Sequence, residues 1–240
     1  MADRTAKLIR REEVAEGTVA FHFEKPSGFS FKAGQFADVT LTDPLETDAE
    51  GNTRTFSIAS PPFANELVFT TRMRNTAFKR SLKQMTFTAE VKISPAAGSF
   101  TLHKNLAKPG IFLAGGIGIT PFLSMVQQAV RDRLSQRLYL FYSNRRPEDA
   151  AFLDTLRALE TTNPNFRVIC TMTEMSKSKQ KWTGETALID KEMLCRHLAN
   201  LQGPIYYIAG PPAMVTAMRE TLVSAGVEKN DIRTDEFVGY

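Results

Sequence analysis

Hydrophobic and polar positions follow one rhythm in the first part of this 240-residue chain and another rhythm in the second part. Up to about residue 102 the apolar positions come in short, closely spaced runs separated by turn residues, which is typical of strands in a barrel or sandwich. A helix is expected to interrupt these strands at residues 76–85, with Thr76 as its N-cap. The predicted strands cover residues 7–14, 17–24, 35–41, 53–59, 66–73 and 86–93.

From residue 110 onward apolar runs alternate with stretches of helical spacing, which predicts a parallel sheet with helices on both faces. The predicted strands cover residues 110–114, 137–142, 166–171, 205–209 and 232–235, and the predicted helices cover residues 121–133, 147–160, 191–200 and 211–225. We therefore predict two domains: an N-terminal antiparallel β-barrel at residues 1–105 and a Rossmann-like α/β domain with a parallel sheet at residues 106–240. Ligands usually bind in the cleft where two such domains meet.

The composition is that of an ordinary globular protein, with 42% hydrophobic and 23% charged residues. No apolar run approaches about eighteen residues and the N-terminus is polar, so we expect no membrane span, no signal peptide and a cytoplasmic location. The net charge of +4 comes without a basic block beside stacking aromatics, which argues against nucleic acid. A mildly positive monomer that steers an acidic partner is expected.

Cysteine content limits the metal chemistry that this chain can carry. Cys170 and Cys195 are its only cysteines, too few for a disulfide framework, an iron–sulfur ligand set or a structural zinc site. We expect no bound metal, so any metal cluster that takes part in the reaction belongs to a partner.

A glycine-rich turn joins the first predicted parallel strand to the helix that follows it. Its residues are Gly115, Gly116, Ile117, Gly118, Ile119, Thr120 and Pro121. Thr120 and Pro121 suit the N-cap and the first position of that helix. Backbone N–H groups and the positive end of the helix dipole attract an anion at such a turn, and pyrophosphate is the expected guest. A tight turn that needs glycine only to pack the helix on the strand explains this stretch about as well.

A second motif lies in the fourth predicted strand and consists of Arg54, Thr55, Phe56 and Ser57. With this motif in place the chain resembles the ferredoxin-NADP reductase superfamily, whose flavin motif is Arg-x-Tyr/Phe-Ser/Thr. The resemblance implies that these residues bind FAD. Arg54 would neutralise its pyrophosphate, Phe56 would pack along the ribityl chain and isoalloxazine, and the Ser57 hydroxyl would hydrogen-bond flavin N5.

The resemblance also places FAD phosphate contacts around the predicted helix at residues 76–85. The candidates there are Arg72, Phe78, Lys79 and Arg80. Lys79 and Arg80 oppose the helix dipole in the first turn, and a bound diphosphate would offset that cost. A solvated basic face is the alternative interpretation.

In the second domain the resemblance implies a site for NAD(P)H. The glycines of the turn, Gly115, Gly116 and Gly118, together with Thr120 and Pro121, would hold the pyrophosphate, with Thr120 near the nicotinamide and the flavin. The residues that correspond to the superfamily's signature beside the nicotinamide are Gly210, Pro211, Pro212 and Met214.

The choice of coenzyme stays open between NADPH and NADH. Ser143 with Arg145 or Arg146 follows the second parallel strand and suits bidentate binding of a 2′-phosphate, which favours NADPH. The spacing from Arg145 to Asp149 also occurs in NADH-using relatives.

The C-terminal residues complete the predicted site. Relatives place an acidic residue and an aromatic residue there against the flavin, so Phe237 and Tyr240 are candidates to cover the ring face. We expect Ser57, Thr120, Phe237 and Tyr240 to take part in hydride transfer.

The resemblance implies an FAD-dependent NAD(P)H reductase that passes hydride from the nicotinamide to the flavin and electrons on to a separate acceptor, an acidic ferredoxin or a flavodoxin. Reduction of free flavin, ferric complexes or quinones is an alternative activity. A non-catalytic electron-transfer subunit and a redox-nucleotide sensor are alternatives of a different class.

Overall fold

The computed structural model describes residues 2–237, which contain one antiparallel and one parallel sheet. The antiparallel strands are β1 (Arg4–Ala15), β2 (Thr18–Glu24), β3 (Phe36–Leu41), β4 (Thr53–Ser57), β5 (Glu66–Arg72) and β6 (Glu90–Ile93). They lie in the order β4-β3-β6-β1-β2-β5. A bridge between Ile58 and Phe69 joins the two edges of this sheet, which therefore curls into the predicted barrel.

The barrel core is rich in aromatic residues, which lie at strand positions whose side chains point inward. Phe21 and Phe23 of β2 and Phe69 of β5 are buried there. Helix α1 (Ala77–Gln84) adds Phe78 to the same core. The Thr76 hydroxyl accepts a hydrogen bond from the backbone N–H of the third helical residue at 3.4 Å, so Thr76 is the N-cap, as predicted.

The parallel sheet consists of β7 (Gly110–Gly115), β8 (Leu138–Asn144), β9 (Phe166–Met172), β10 (Ile205–Gly210) and β11 (Ile232–Glu236), in the order β11-β10-β7-β8-β9. The connecting helices are α2 (Ile119–Arg131), α3 (Leu153–Thr162), α4 (Lys191–His197) and α5 (Pro212–Ser224). One hydrophobic cluster packs α2 and α3 on one face of the sheet, and another packs α4 and α5 on the other face. The predicted two-domain fold class is confirmed, and the predicted boundary after residue 105 lies between β6 and β7.

The helix predicted at residues 147–160 is split in the structure. A 3₁₀ turn at Pro147–Asp149 precedes α3, and Phe152 at the N-cap position has a φ of 61°, in the left-handed region. That conformation costs about 1–2 kcal/mol for a non-glycine residue. The Phe152 side chain packs against the core cluster under α2 and α3, which offsets the cost.

Several polar contacts tie the barrel to the α/β domain. The backbone N–H of Glu16 donates to the Glu148 carbonyl at 2.8 Å, and the Ser124 hydroxyl donates to the Ser60 carbonyl at 2.7 Å. Ser124 is fully buried, so this second contact lies inside the interface. The carboxyl ends of the parallel strands consequently face the barrel across a fixed cleft. Within residues 2–237 no helix is both long and apolar enough to cross a bilayer.

Candidate functional site

A cavity of about 450 Å³ lies between the two domains at the carboxyl ends of the parallel strands. Open α/β sheets bind their ligands at this edge. Residues from both domains line the cavity, and they include Thr18, Arg72, Gly115, Gly116, Ser143, Asn144, Arg145, Asp149, Pro211, Met214 and Phe237. Eight of the predicted dinucleotide or flavin contacts therefore meet at one place.

The glycines of the turn after β7 have two different roles. Gly115 and Gly116 line the cavity, and Gly116 has a φ of 53° with open space around it. Gly118 packs instead against the end of β10, where a Cβ would lie 2.2 Å from the Ala209 carbonyl oxygen. Gly118 is thus required for close helix-to-strand packing, and Gly115 and Gly116 form a cavity wall of bare backbone. Pyrophosphate binding at that wall stays a prediction.

Thr120 lies inside helix α2 and is not its N-cap. A 3₁₀ turn at Gly116–Gly118 runs directly into the helix, so the helix starts one residue before the predicted cap. The Thr120 hydroxyl donates to the Ile117 carbonyl at 3.1 Å, and the side chain is buried. Pro121 is buried in the same turn, and both residues lie outside the lining of the cavity. A nicotinamide contact for Thr120 stays a prediction.

The turn after β10 forms an adjoining part of the cavity. Gly210 approaches the Gly115 backbone so closely that a Cβ would lie 3.1 Å from the Gly115 nitrogen. Pro211 and Met214 line the cavity, and Pro212 opens α5 at its first position, as expected from its fixed φ. The two turns cross here, so the residues predicted to bind the pyrophosphate lie beside those predicted to bind the nicotinamide.

The end of β11 brings an aromatic side chain to the same place. The backbone N–H of Phe237 donates to the Gly210 carbonyl at 3.0 Å, and Phe237 lines the cavity. Asp235 pairs in register with Ala209 of β10, and burial raises the pKa of its carboxyl to about 6. Tyr240 lies outside the described residues.

The predicted flavin motif lies on β4 and forms a second cluster around α1. The Arg54 guanidinium lies 5.1 Å from the centre of the Phe78 ring, and the Phe56 and Phe78 rings lie 6.0 Å apart. Phe56 and Ser57 are buried, and the Thr55 hydroxyl donates to Asp38. The alternation along β4 therefore places Arg54 and Phe56 on one face, as predicted.

Three carboxylates of the loop before β4 contact this cluster, and we call residues 46–50 the acidic segment. Glu46 accepts two hydrogen bonds from the Arg80 guanidinium. Asp48 accepts from the first backbone N–H of α1 at 3.1 Å, and Glu50 pairs with Arg54 at 2.8 Å. The sequence signal, acidic residues at every second position ahead of Arg54, was available but does not identify their partners.

Lys79 is a buried cation in this second cluster. Its ammonium donates to the Arg72 carbonyl at 2.8 Å. Burial, followed by the neighbouring charges of Arg74 and Arg54, lowers its pKa to about 8. The positive potential around α1 thus exceeds what the acidic segment cancels. A diphosphate fits a site of this charge, since it supplies the missing anions.

At the opposite edge of the cavity, the cations predicted to read the coenzyme ribose are paired with carboxylates. Arg146 donates to both oxygens of Asp149, at 3.0 and 2.9 Å, and to Glu16 at 3.2 Å. These contacts raise the pKa of Arg146. The Nε of Arg145 lies 3.8 Å from Glu174, while Ser143 lines the cavity. Glu16 could not be found from sequence, because it lies in the other domain.

Comparison with known proteins shows that this chain is similar to oxidoreductases. Residues 112–220 match the family model of the oxidoreductase NAD-binding domain. The reductase component of propane 2-monooxygenase from Rhodococcus jostii is 25% identical over 98% of this chain and 64% of its own length. Ferredoxin–NADP reductase B from Sorangium cellulosum is 27% identical over 90% of this chain and 89% of its own length.

Solved structures show the same fold. A ferredoxin NADP+ reductase from Neisseria gonorrhoeae with bound FAD and NADP superimposes with a TM-score of 0.80 at 21% identity, covering 98% of this chain and 99% of the other. Among curated relatives, the chain spans 37%, 64%, 66% and 60% of the length of four that it matches.

Proposed function

We infer that this chain belongs to the superfamily of ferredoxin-reductase-type, FAD- and NAD(P)-binding oxidoreductases and that it has a redox function. The proposed activity is an FAD-dependent NAD(P)H reductase that takes a hydride from the nicotinamide and passes electrons to a separate acceptor. One observation carries the proposal: the glycine turn after β7, the Gly-Pro-Pro turn after β10 and Phe237 line a single interdomain cavity.

Each wall of the cavity has a distinct part in this proposal. Gly115 and Gly116 present backbone without a Cβ, so the pyrophosphate of the dinucleotide can approach the start of α2 closely. Pro211 and Met214 give an apolar surface for the nicotinamide. Phe237, held by its N–H on the Gly210 carbonyl, has to move aside when the nicotinamide reaches the flavin.

The cluster around α1 is the proposed FAD site. Arg54, Lys79 and Arg80 supply positive charge for the diphosphate, and the Ser57 hydroxyl at the end of β4 is the proposed donor to the flavin ring. FAD held by these residues would supply a hydride acceptor able to pass electrons on singly or in pairs.

The proposed acceptor is a separate ferredoxin or flavodoxin. This proposal is supported by relatives named as reductase components of oxygenase systems and as ferredoxin–NADP reductase. It also agrees with the net charge of +4, since positive charge speeds encounter with an acidic partner. An acidic acceptor would dock more slowly at high ionic strength.

The function is tested with a visible absorption spectrum of the purified full chain, recorded before and after anaerobic addition of NADH and then NADPH. We expect bands of oxidised flavin that bleach with at least one nucleotide. A chain that neither carries nor takes up FAD, or whose flavin is reduced by neither nucleotide, would contradict the reductase proposal.

The acceptor is tested in a second assay with the flavin-loaded chain. A [2Fe–2S] ferredoxin, a flavodoxin, free flavin and a ferric chelate are compared at equal concentration, at low and high salt. We expect the highest rates with an acidic protein acceptor and a fall in those rates with salt. Faster reduction of free flavin or ferric chelate would assign the alternative activity.

A further inference from the structure

The edge of the cavity at the ends of β8 and β9 is a rigid, charged surface. The Asn144 carbonyl accepts from the backbone N–H of Thr173 at 3.0 Å, and the Arg145 carbonyl accepts from that of Glu174 at 2.7 Å. Asn144 is buried and lines the cavity. These backbone bonds fix Glu174 beside Arg145 and next to Thr173, two residues that line the cavity, near the position where doubly wound folds bind the adenosine ribose.

Arg146 is unsuited to binding a phosphate because its bidentate partner, Asp149, is a buried carboxylate, unlike the exposed carboxylates of the acidic segment. Asp149 holds it in a bidentate pair and Glu16 holds it from the barrel, at the distances given above. Asp149 itself lines the cavity with a side chain that is only 8% exposed, and Arg72 faces the same carboxylate at 3.9 Å. Breaking these pairs to bind another anion would leave a buried carboxylate without its partner.

Two further cations at this edge, Arg145 and Lys177, share one carboxylate. Glu174 accepts from the Lys177 ammonium at 2.7 Å and lies 3.8 Å from Arg145. Both contacts hold the pKa of Glu174 below its usual range, so it is ionised at neutral pH. Thus Arg72, Arg145, Arg146 and Lys177 each already face Asp149 or Glu174.

The carboxylates at this edge favour binding of a ribose diol over binding of a 2′-phosphate. Ribose hydroxyls donate hydrogen bonds, which carboxylates accept, whereas a 2′-phosphate adds about two negative charges and needs uncompensated Arg or Lys side chains. We propose that the coenzyme of this site is NADH and that Asp149 and Glu174 exclude the 2′-phosphate of NADPH. This inference rests on the proposed function and names the substrate of the same site.

The test compares kcat/KM for NADH and NADPH in the flavin-loaded full chain with an artificial acceptor. We expect NADH to be preferred at least tenfold. Glu174→Gln keeps the shape of the side chain but releases Arg145 and Lys177, so the NADH-to-NADPH ratio should fall at least fivefold. Glu220→Gln, the same charge change on an exposed face of α5, is the matched control and should leave the ratio within twofold.

A binding measurement separates recognition from turnover. Calorimetric titration with 5′-AMP and with adenosine 2′,5′-bisphosphate should give at least tenfold weaker binding of the bisphosphate, and Glu174→Gln should narrow that gap. Equal or better binding and turnover with the 2′-phosphorylated compounds would overturn the inference and leave the reductase proposal standing, as would a ratio unchanged by Glu174→Gln. Flavin that neither nucleotide reduces would overturn the reductase proposal, and the inference with it.

Discussion

Single residues at the proposed FAD site act through charge. Arg54 turns its guanidinium toward Glu50 and the backbone carbonyls beside it, and it also covers the face of the Phe78 ring. An arginine can keep the ring contact while it changes hydrogen-bond partners, because its planar group both stacks and donates in a fork. Arg54 is therefore able to exchange a carboxylate for a phosphate with little movement.

We expect Arg54→Ala to bind FAD about 10- to 100-fold more weakly, since it loses charge-assisted hydrogen bonds to the diphosphate. Flavin content after purification and FAD titration of the flavin-free chain measure the effect. Arg10→Ala is the control, because Arg10 is also a barrel arginine paired with two carboxylates. Wild-type affinity in Arg54→Ala would remove Arg54 from the FAD site.

Lys79 should make FAD binding depend on pH. Its pKa of about 8 means that the ammonium is charged at pH 7 and increasingly neutral at pH 9, and only the charged form attracts a diphosphate. We expect the affinity for FAD to fall as the pH rises from 7 to 9. Lys79→Met should bind FAD weakly with a flat profile over this range, whereas Lys83→Met, on the exposed last turn of α1, should keep the slope.

At the scale of elements, the sequence predicted the features that depend on neighbouring residues and missed those that depend on tertiary contacts. Short apolar runs predicted the antiparallel sheet, the alternation between strands and helices predicted the parallel sheet, and Thr76 predicted the start of α1, because these features depend on residues close in sequence. The split at Phe152 could not be predicted, since its left-handed conformation persists only because the ring packs under α2 and α3. The pairing of Arg146 with Glu16 likewise spans 130 residues.

The turn between β7 and α2 allows a test of its two kinds of glycine. We expect Gly118→Ala to lower the free energy of unfolding by about 3 kcal/mol, because the new methyl group would press on the Ala209 carbonyl of β10. Gly116→Ala should cost only about 1 kcal/mol, which is the penalty of its positive φ in open space. Urea denaturation of the two variants measures both, and equal losses would contradict the division of roles.

On the scale of the whole molecule, the candidate site exists only because two domains meet. Arg72 of the barrel and Asp149 of the α/β domain line the same cavity, and Glu16 and Ser60 of the barrel bond to residues of the other domain. The sequence predicted a cleft, and its motifs identified the glycine turn and the Gly-Pro-Pro turn that line it. The charge balance of the cleft could not be predicted from the sequence, since it depends on ion pairs formed across the domain interface.

We expect the acidic segment to compete with the diphosphate of FAD for the cations around α1. Its carboxylates occupy the cations that the diphosphate would use, so flavin uptake is an exchange of one set of anions for another. We expect Glu46→Gln/Asp48→Asn/Glu50→Gln to bind FAD at least tenfold more tightly and with a steeper salt dependence, since counterions from solution would then replace the carboxylates. FAD titration at two salt concentrations measures both quantities, and weaker binding in the triple variant would refute the exchange.

Asp43→Asn, a charge change in the same loop but outside the acidic segment, is the control and should leave FAD affinity unchanged. In the flavin-free protein, the carboxylates of the acidic segment thus pair with cations that would otherwise bind the phosphates of the cofactor. Before flavin binds, the acidic segment then offsets part of the positive charge at the proposed flavin site, which weakens the mutual repulsion of its arginines and lowers the electrostatic barrier to flavin release.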